Sequence, residues 1–182
     1  MKTGSMNKLA SKASKASTRI RTPRDRRGVR SDKPITIPNQ GIRYNDPTVC
    51  DSCGAMYTRK SWRKDHPVTH SMLEQVEWAK CPACRQKSQE IAYGRVVIRG
   101  EFPAGRLTAI QRRIRNVESR ATHTQPENSV VSMDKVDGGL DVLTTSQQLA
   151  HRIVNELKKA FGGRAIYRWS DADGALYARW SG

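Results

Sequence analysis

The sequence lacks any hydrophobic run near the roughly 18 residues that cross a bilayer, and its start lacks the apolar core of about 7–15 residues found in secretory signal peptides. These absences predict no membrane partner and a reducing, cytoplasmic location. The Arg- and Ser-rich, acid-poor start also fits an organellar transit peptide, which is the alternative.

The chain also lacks the short motifs of common enzymes. It has no Walker phosphate-binding loop, no nucleophile elbow, no zinc-protease helix motif and no dinucleotide-binding glycine fingerprint. Each cysteine belongs to a closely spaced pair, so none is left over as a nucleophile. We therefore expect a protein that is not an enzyme and has no small-molecule substrate.

Acidic residues are scarce relative to basic ones. The 182 residues contain 33 Lys and Arg against 17 Asp and Glu, which gives a formal net charge of +16. An excess of this size predicts polyanionic partners, of which nucleic acid is the first candidate. RNA and DNA both remain open at this point.

Much of the positive charge lies at the start of the chain. The first 40 residues contain eleven basic residues against Asp25 and Asp32, so nine of the sixteen net charges lie there and seven lie in the rest. Apolar residues are too few and too irregular to bury, so residues 1–44 are predicted to be a disordered basic arm that orders on a phosphate backbone. The alternative is a merely solvated tail. The candidate nucleic-acid contacts in this arm are Arg19, Arg21, Arg24, Arg26, Arg27 and Arg30.

The four cysteines form two C-x2-C pairs, Cys50 with Cys53 and Cys81 with Cys84. A two-residue spacing lets both sulfurs of a pair bind one ion, and two pairs complete a tetrahedron around Zn²⁺. Residues 45–90 are therefore predicted to be a zinc ribbon with a structural ion. Redox-active pairs or disulfides are the alternative, which we disfavour because no helical pattern flanks either pair.

Other features of this module fit the same interpretation. A zinc deaminase would need an H-x-E motif, and neither His66 nor His70 is followed by Glu at that spacing. With four cysteines available, we expect these histidines to be solvated or to face phosphate. The spacing of Met72, Leu73 and Val76 predicts one short helix after Pro67.

Residues 91–182 show alternating strand and helix patterns in the order β, α, β, β, α, β, β. Strands are predicted over 91–99, 129–134, 140–144, 164–169 and 175–180, and helices after Pro103 and over 146–161. The fold class is thus α+β. The first six elements match a ferredoxin-like plan, βαββαβ, in which two helices cover one face of the sheet, and the last strand would be added at an edge.

The helix after Pro103 has an arginine-rich outer side, opposite the apolar stripe of Leu107, Ile110 and Ile114. Arginines at this spacing predict a grip on phosphates, and a solvated surface is the alternative. The candidate contacts on this helix are Arg106, Arg112, Arg113 and Arg115.

Aromatic residues in the strands offer a second possible nucleic-acid surface. Tyr177 and four others are interleaved with arginines, and they could stack on bases. The alternative, which we favour for Trp169 and Trp180, is packing beneath the helices. The RNP motif of an RRM does not occur in the chain. The other three aromatics are Tyr93, Tyr167 and Trp180's partner strand residue Trp169.

The two cysteine pairs, a strand ending at Gly100 and the segment from Asp137 to Ile153 together resemble a group of short bacterial zinc-ribbon proteins. The chain from Pro47 to Trp180 also resembles, more distantly, the NMD-type export adaptors of archaea and eukaryotes, which bind the large ribosomal subunit. The adaptors have further cysteine pairs and domains that this chain does not have. The resemblance implies ribosomal RNA, and possible ribosomal proteins, as partners.

Together these patterns predict a zinc-ribbon protein that binds RNA and associates with the ribosome. A DNA-binding or transcription-associated zinc-ribbon adaptor is the alternative function, since the same charge and the same ribbon would serve it.

Overall fold

The computed structural model describes residues 42–66 and 69–182, and most of the predicted basic arm lies outside these ranges. The described part contains a small metal-binding module followed by a larger α+β domain. Among its helices, none combines the length and the apolar character that crossing a bilayer requires.

The metal-binding module is built from very short elements. Its strands form a four-stranded sheet in the order β3-β2-β1-β4, in which β1 pairs antiparallel with β2 and parallel with β4. The elements are β1 (Thr48–Val49), β2 (Met56–Thr58), β3 (Ser61–Arg63), α1 (His70–Leu73), β4 (Glu77–Trp78) and α2 (Pro82–Ser88).

The short helix expected after Pro67 is present as α1, but it is a single turn. None of its residues is buried, and β4 follows at Glu77, so the predicted apolar stripe does not form. Four residues are too few for a helix to be stable by itself. The apolar spacing in this loop therefore overstated its helical content.

The α+β domain has the predicted element order. Its elements are β5 (Gly94–Arg99), α3 (Arg106–Thr124), β6 (Val130–Val136), β7 (Gly139–Thr144), α4 (Gln147–Phe161), β8 (Arg164–Ser170) and β9 (Ala175–Ser181). Both helices pack on one face of the five-stranded sheet, because the buried core joins α3 and α4 to a single set of alternating strand residues.

The position of the last strand differs from the expected one. The strand order is β6-β7-β5-β9-β8, so β9 lies inside the sheet, parallel to β5, and β8 forms the edge. A ferredoxin-like sheet with an added edge strand is therefore not what the chain forms. The reason lies in side chains: β9 buries Leu176, Ala178 and Trp180, whereas β8 alternates exposed arginines with apolar residues, which suits an edge.

Helix α4 begins and ends where its sequence predicts. The Ser146 hydroxyl accepts a hydrogen bond from the Leu149 N–H at 3.1 Å, and Gly162 ends the helix with a φ of 74°. Between these residues, Leu149, Ile153 and Leu157 are fully or almost fully buried. This stripe attaches α4 to β5 and β9.

Gly94 allows α4 to approach the sheet closely. A Cβ atom at this position would lie 2.6 Å from the Ala150 Cβ and 2.9 Å from the Ser146 carbonyl oxygen. Neither distance is possible for real atoms, so any larger residue would push the start of α4 away from β5.

Candidate metal centre and basic surfaces

The first cysteine pair lies in a tight turn directly after β1. The Gly54 N–H donates to the Cys50 carbonyl at 3.0 Å, and the Cys50 N–H donates to the Ala55 carbonyl at 2.8 Å. Gly54 has a φ of 69°, which a residue without Cβ adopts at little cost. This turn directs both sulfurs of the pair to the same side.

The second pair opens helix α2. Cys81 is the N-cap residue, Pro82 follows in the first turn, and the Cys84 N–H lies 3.5 Å from the Cys81 Sγ. The expectation that no helix flanks either pair was wrong, because a seven-residue helix starts at Pro82. Convergence of the two pairs, described next, still distinguishes this site from an isolated redox pair.

The four sulfurs converge on one point. All four Sγ atoms lie within 4.8 Å of one another, and the Cys53 and Cys81 sulfurs are 3.7 Å apart. A Zn–S bond of about 2.3 Å places the corners of a tetrahedron about 3.8 Å apart, so the sulfurs have the separation that such a site needs. The cluster of Cys50, Cys53, Cys81 and Cys84 could therefore hold a metal ion.

Burial and hydrogen bonding affect the four thiols differently. Burial alone would raise the pKa of Cys50, but backbone N–H groups of Cys81, Ser52 and Cys53 lower it to about 7. Burial raises the pKa of Cys84 to about 11 and that of Cys81 further, and the neighbouring sulfurs add to both shifts. A divalent cation would offset this repulsion between thiolates.

Few apolar side chains support the centre. Tyr44, Tyr57 and Trp62 pack edge to face or tilted, with ring centroids 4.9–5.4 Å apart, against the cysteines and Ala55. The Tyr44 hydroxyl also accepts a hydrogen bond from the Arg85 guanidinium at 2.9 Å. Tyr44 therefore packs with the metal-binding module, although the predicted boundary assigned it to the basic arm.

The two histidines of the module are not part of the sulfur cluster. His70 is exposed and its Nδ1 lies 3.9 Å from Glu74 Oε1, while His66 is half-buried beside a small cleft that also contains Arg59 and Arg63. Within the described ranges, the four cysteines are the one group with metal-binding spacing.

Helix α3 presents its predicted arginines unequally. Arg113 donates to Glu156 Oε2 at 2.9 Å, and Arg106 stacks over Phe161 and bonds its carbonyl oxygen. Both therefore link α3 to α4. Arg112 and Arg115 are exposed, so they are the members of this set with side chains directed to solvent.

The six arginines predicted as contacts in the arm lie outside the described residues. The candidate set Arg19, Arg21, Arg24, Arg26, Arg27 and Arg30 thus stays a prediction from sequence alone.

Analysis of the sequence missed a row of arginines on the sheet face opposite α3 and α4, which we call the open face. By strand alternation and register, this face carries five arginines and the two aspartates Asp134 and Asp141. The signal was present in the sequence as basic residues at every second position of β5 and β8. The five are Arg95, Arg99, Arg164, Arg168 and Arg179.

The aromatics of the last hairpin divide between the two faces. Trp180 is fully buried, as expected, and its indole N–H donates to the Gly162 carbonyl at 3.0 Å. Trp169 is 56% exposed, so the expectation that it packs beneath the helices was wrong. Tyr177 lies on the open face, and Tyr167 lies on the helix side, where it bonds Asn155.

Comparison of the chain with protein-family models and with curated proteins gives no match.

Proposed function

We propose that this chain is a non-enzymatic RNA-binding protein with a structural zinc ion. The observation that carries the proposal is a chain of net charge +16 whose clustered cysteines would fill all four positions of a tetrahedral ion. A catalytic zinc keeps one position open for water or substrate. A site filled by four thiolates instead has a structural role.

The metal supports the fold because the module around it is small. Its buried cluster consists of the cysteines, Ala55, Ala83 and Trp62, and a core of this size contributes too little to fold alone. Thiolate ligands at this spacing favour Zn²⁺ over hard cations such as Mg²⁺. Zinc would therefore hold the two turns together and fix the surfaces that they carry.

Positive charge on this scaffold favours a nucleic acid as the partner. The seven net charges outside the first 40 residues are carried by a folded part that presents Arg112 and Arg115 on α3. Rigidly presented arginines supply position, and the basic first 40 residues would add salt-sensitive affinity.

We further propose that the RNA is ribosomal and that the large subunit or its precursors carry the binding site. This step depends on the resemblance to the NMD-type adaptors. The test is sedimentation of a cell extract through sucrose gradients at low and high salt, with and without RNase. Migration with the large subunit at low salt, lost after RNase treatment, is expected. Migration at the top of every gradient would contradict ribosome association.

Purified protein separates RNA from DNA as the partner. At matched salt, we expect tighter binding to RNA than to duplex DNA of the same sequence, because the 2′-hydroxyls and unstacked bases of RNA offer contacts that B-form DNA lacks. Equal or tighter binding to duplex DNA would instead support a transcription-associated adaptor.

A further inference from the structure

The open face carries more positive charge than a sheet surface needs for solubility. Its five arginines face two aspartates, and one of these, Asp141, is already paired with Arg95 through Nε at 2.9 Å. Net positive charge therefore remains on this face. Like charges also disfavour its pairing with the same face of a second copy.

The outer half of the open face combines flat groups with charge. The Arg168 guanidinium lies over the Tyr177 ring, 5.8 Å from its centroid, and the Tyr177 hydroxyl donates to Asp173 Oδ2 at 2.7 Å. The hydrogen bond and the stacked guanidinium hold the ring in place. Together they form a planar platform of the kind on which an unpaired base stacks.

An apolar residue lies beside this platform. Ile166 is 54% exposed on the edge strand β8, between Arg164 and Arg168 on the same face. Exposed isoleucine at this place has no role in the core, but it would contact the face or edge of a base. Arginines 164, 168 and 179 are exposed around it and within reach of a phosphate backbone.

Resting on the proposed RNA-binding function, we infer that the open face binds a single-stranded segment of RNA, with a base stacked on Tyr177 and Arg168 and phosphates contacted by Arg164 and Arg179. Duplex RNA fits this face less well, because its bases are already stacked and cannot lie on the platform. Single strands combine exposed bases with backbone charge, which is what this surface complements.

Edge protection is the competing explanation for the arginines of β8, since charged side chains prevent a sheet edge from pairing with other chains. That role requires charge but neither an aromatic ring nor a planar cation. Variants that keep charge and alter shape therefore separate the two explanations.

The experiment measures binding of the full-length, zinc-loaded protein to a labelled single-stranded RNA of about 16 nucleotides, the upper end of the site sizes of single-strand-binding folds. We expect Tyr177→Leu to weaken binding about tenfold or more and Tyr177→Phe to retain most of it, because only the ring is needed for stacking. Arg168→Lys, which keeps the charge and loses the plane, should also weaken binding.

Two controls keep the result specific. Arg112→Gln with Arg115→Gln removes two charges from α3 and should leave the ratio between the Tyr177→Phe and Tyr177→Leu affinities unchanged. Ultraviolet crosslinking of the wild-type protein followed by mass spectrometry should place the RNA on β8 or β9, and this readout does not depend on the folding of any variant.

The outcomes separate this inference from the function on which it rests. If the wild-type protein binds single-stranded RNA but Tyr177→Leu and Tyr177→Phe bind equally well and the crosslinks lie elsewhere, the open face is not the site and the RNA-binding function stands. If the wild-type protein binds no RNA, both are wrong. Equal affinity of the platform for single-stranded DNA would identify the ligand as a single strand of either sugar.

Discussion

Cys81 makes three separate contributions to the metal centre. Its sulfur is one of the four that converge, its N–H donates to the Cys50 Sγ at 3.3 Å, and it caps the N-terminus of α2. Removing this one side chain therefore affects the ion, the link between the two turns and the start of a helix.

We expect Cys81→Ala to lose the bound zinc and to unfold residues 45–90, because the module has too small a core to persist without metal. Metal content by mass spectrometry and amide NMR spectra would show both effects. Ser52→Ala is the matched control, since it changes an exposed residue between the first two cysteines and should keep one zinc per chain. A native-like NMR spectrum of Cys81→Ala would disprove the structural role of the ion.

Glu156 joins the two helices of the α+β domain. Its carboxylate lies 2.9 Å from Arg113, 3.6 Å from Arg120 and 3.4 Å from Lys159. Burial acts to raise the pKa of Glu156, but Lys159, Arg113 and Arg120 outweigh it and hold the pKa below the usual value for a glutamate. The charged form is thus favoured in the folded state.

A lowered folded-state pKa stabilises the protein above the unfolded pKa of about 4.3, and this stabilisation is lost as the pH falls through the lower folded value. We expect Glu156→Gln to lower the urea midpoint at neutral pH, with the gap from wild type closing in acid. Glu127→Gln alters an exposed glutamate and should show a small gap at every pH. A gap for Glu156→Gln that persists in acid would contradict the ion-pair explanation.

The hairpin of β2 and β3 has a turn whose sequence conflicts with its shape. Thr58 pairs with Ser61, so Arg59 and Lys60 form a two-residue loop, and their φ angles are 50° and 63°. Two positive φ values define a type I′ turn, which favours Asn-Gly and strains residues with long side chains. Strain of this kind is common where side chains serve binding rather than folding.

We expect replacement of Arg59 and Lys60 by Asn and Gly to stabilise the module by roughly 1 kcal/mol, because both residues then adopt positive φ at lower cost. The Arg59 N–H bond to Asp46 would remain, since it comes from the backbone. Replacement of both by Ala removes the same charges without suiting the turn and should not stabilise. Chemical unfolding of the zinc-loaded proteins tests this, and equal midpoints for the two variants would disprove the turn argument.

Local signals predicted the elements that local interactions determine. The stripe from Leu149 to Leu157, the cap at Ser146 and the stop at Gly162 define α4 within the sequence itself, and the structure has the same helix. The hairpin of β6 and β7 likewise follows from the glycines between its strands. Convergence of the cysteines was predictable for the same reason, because their spacing limits the geometry.

Long-range pairing could not be predicted in the same way. The interior position of β9 depends on its competition with β8 for the edge of β5, more than 60 residues earlier in the chain. Helix α2 was missed because seven residues starting at a cysteine give no periodic signal. The open face was missed because its arginines come together only once the strands are paired in register.

At the scale of the whole molecule, positive charge is divided between the first 40 residues and the folded part. The folded part has arginines at defined places, on α3, on the open face and at the turn of β2 and β3. Charge that is fixed in place contributes register and orientation, whereas the uneven excess at the start of the chain contributes attraction that depends on salt. The two parts should therefore affect RNA binding in measurably different ways.

Replacing all six candidate arginines of the first 40 residues by Gln, in the otherwise complete chain, should lower RNA affinity and reduce its dependence on salt. For single strands, each phosphate contact contributes about 0.7 to the slope of log affinity against log salt concentration, so several lost contacts would be clearly visible. Tyr177→Leu is the contrasting variant, because it should lower affinity at every salt concentration without changing the slope. An unchanged slope in the six-arginine variant would show that these residues do not contact phosphate, and the charge that binds RNA would then lie in the folded part.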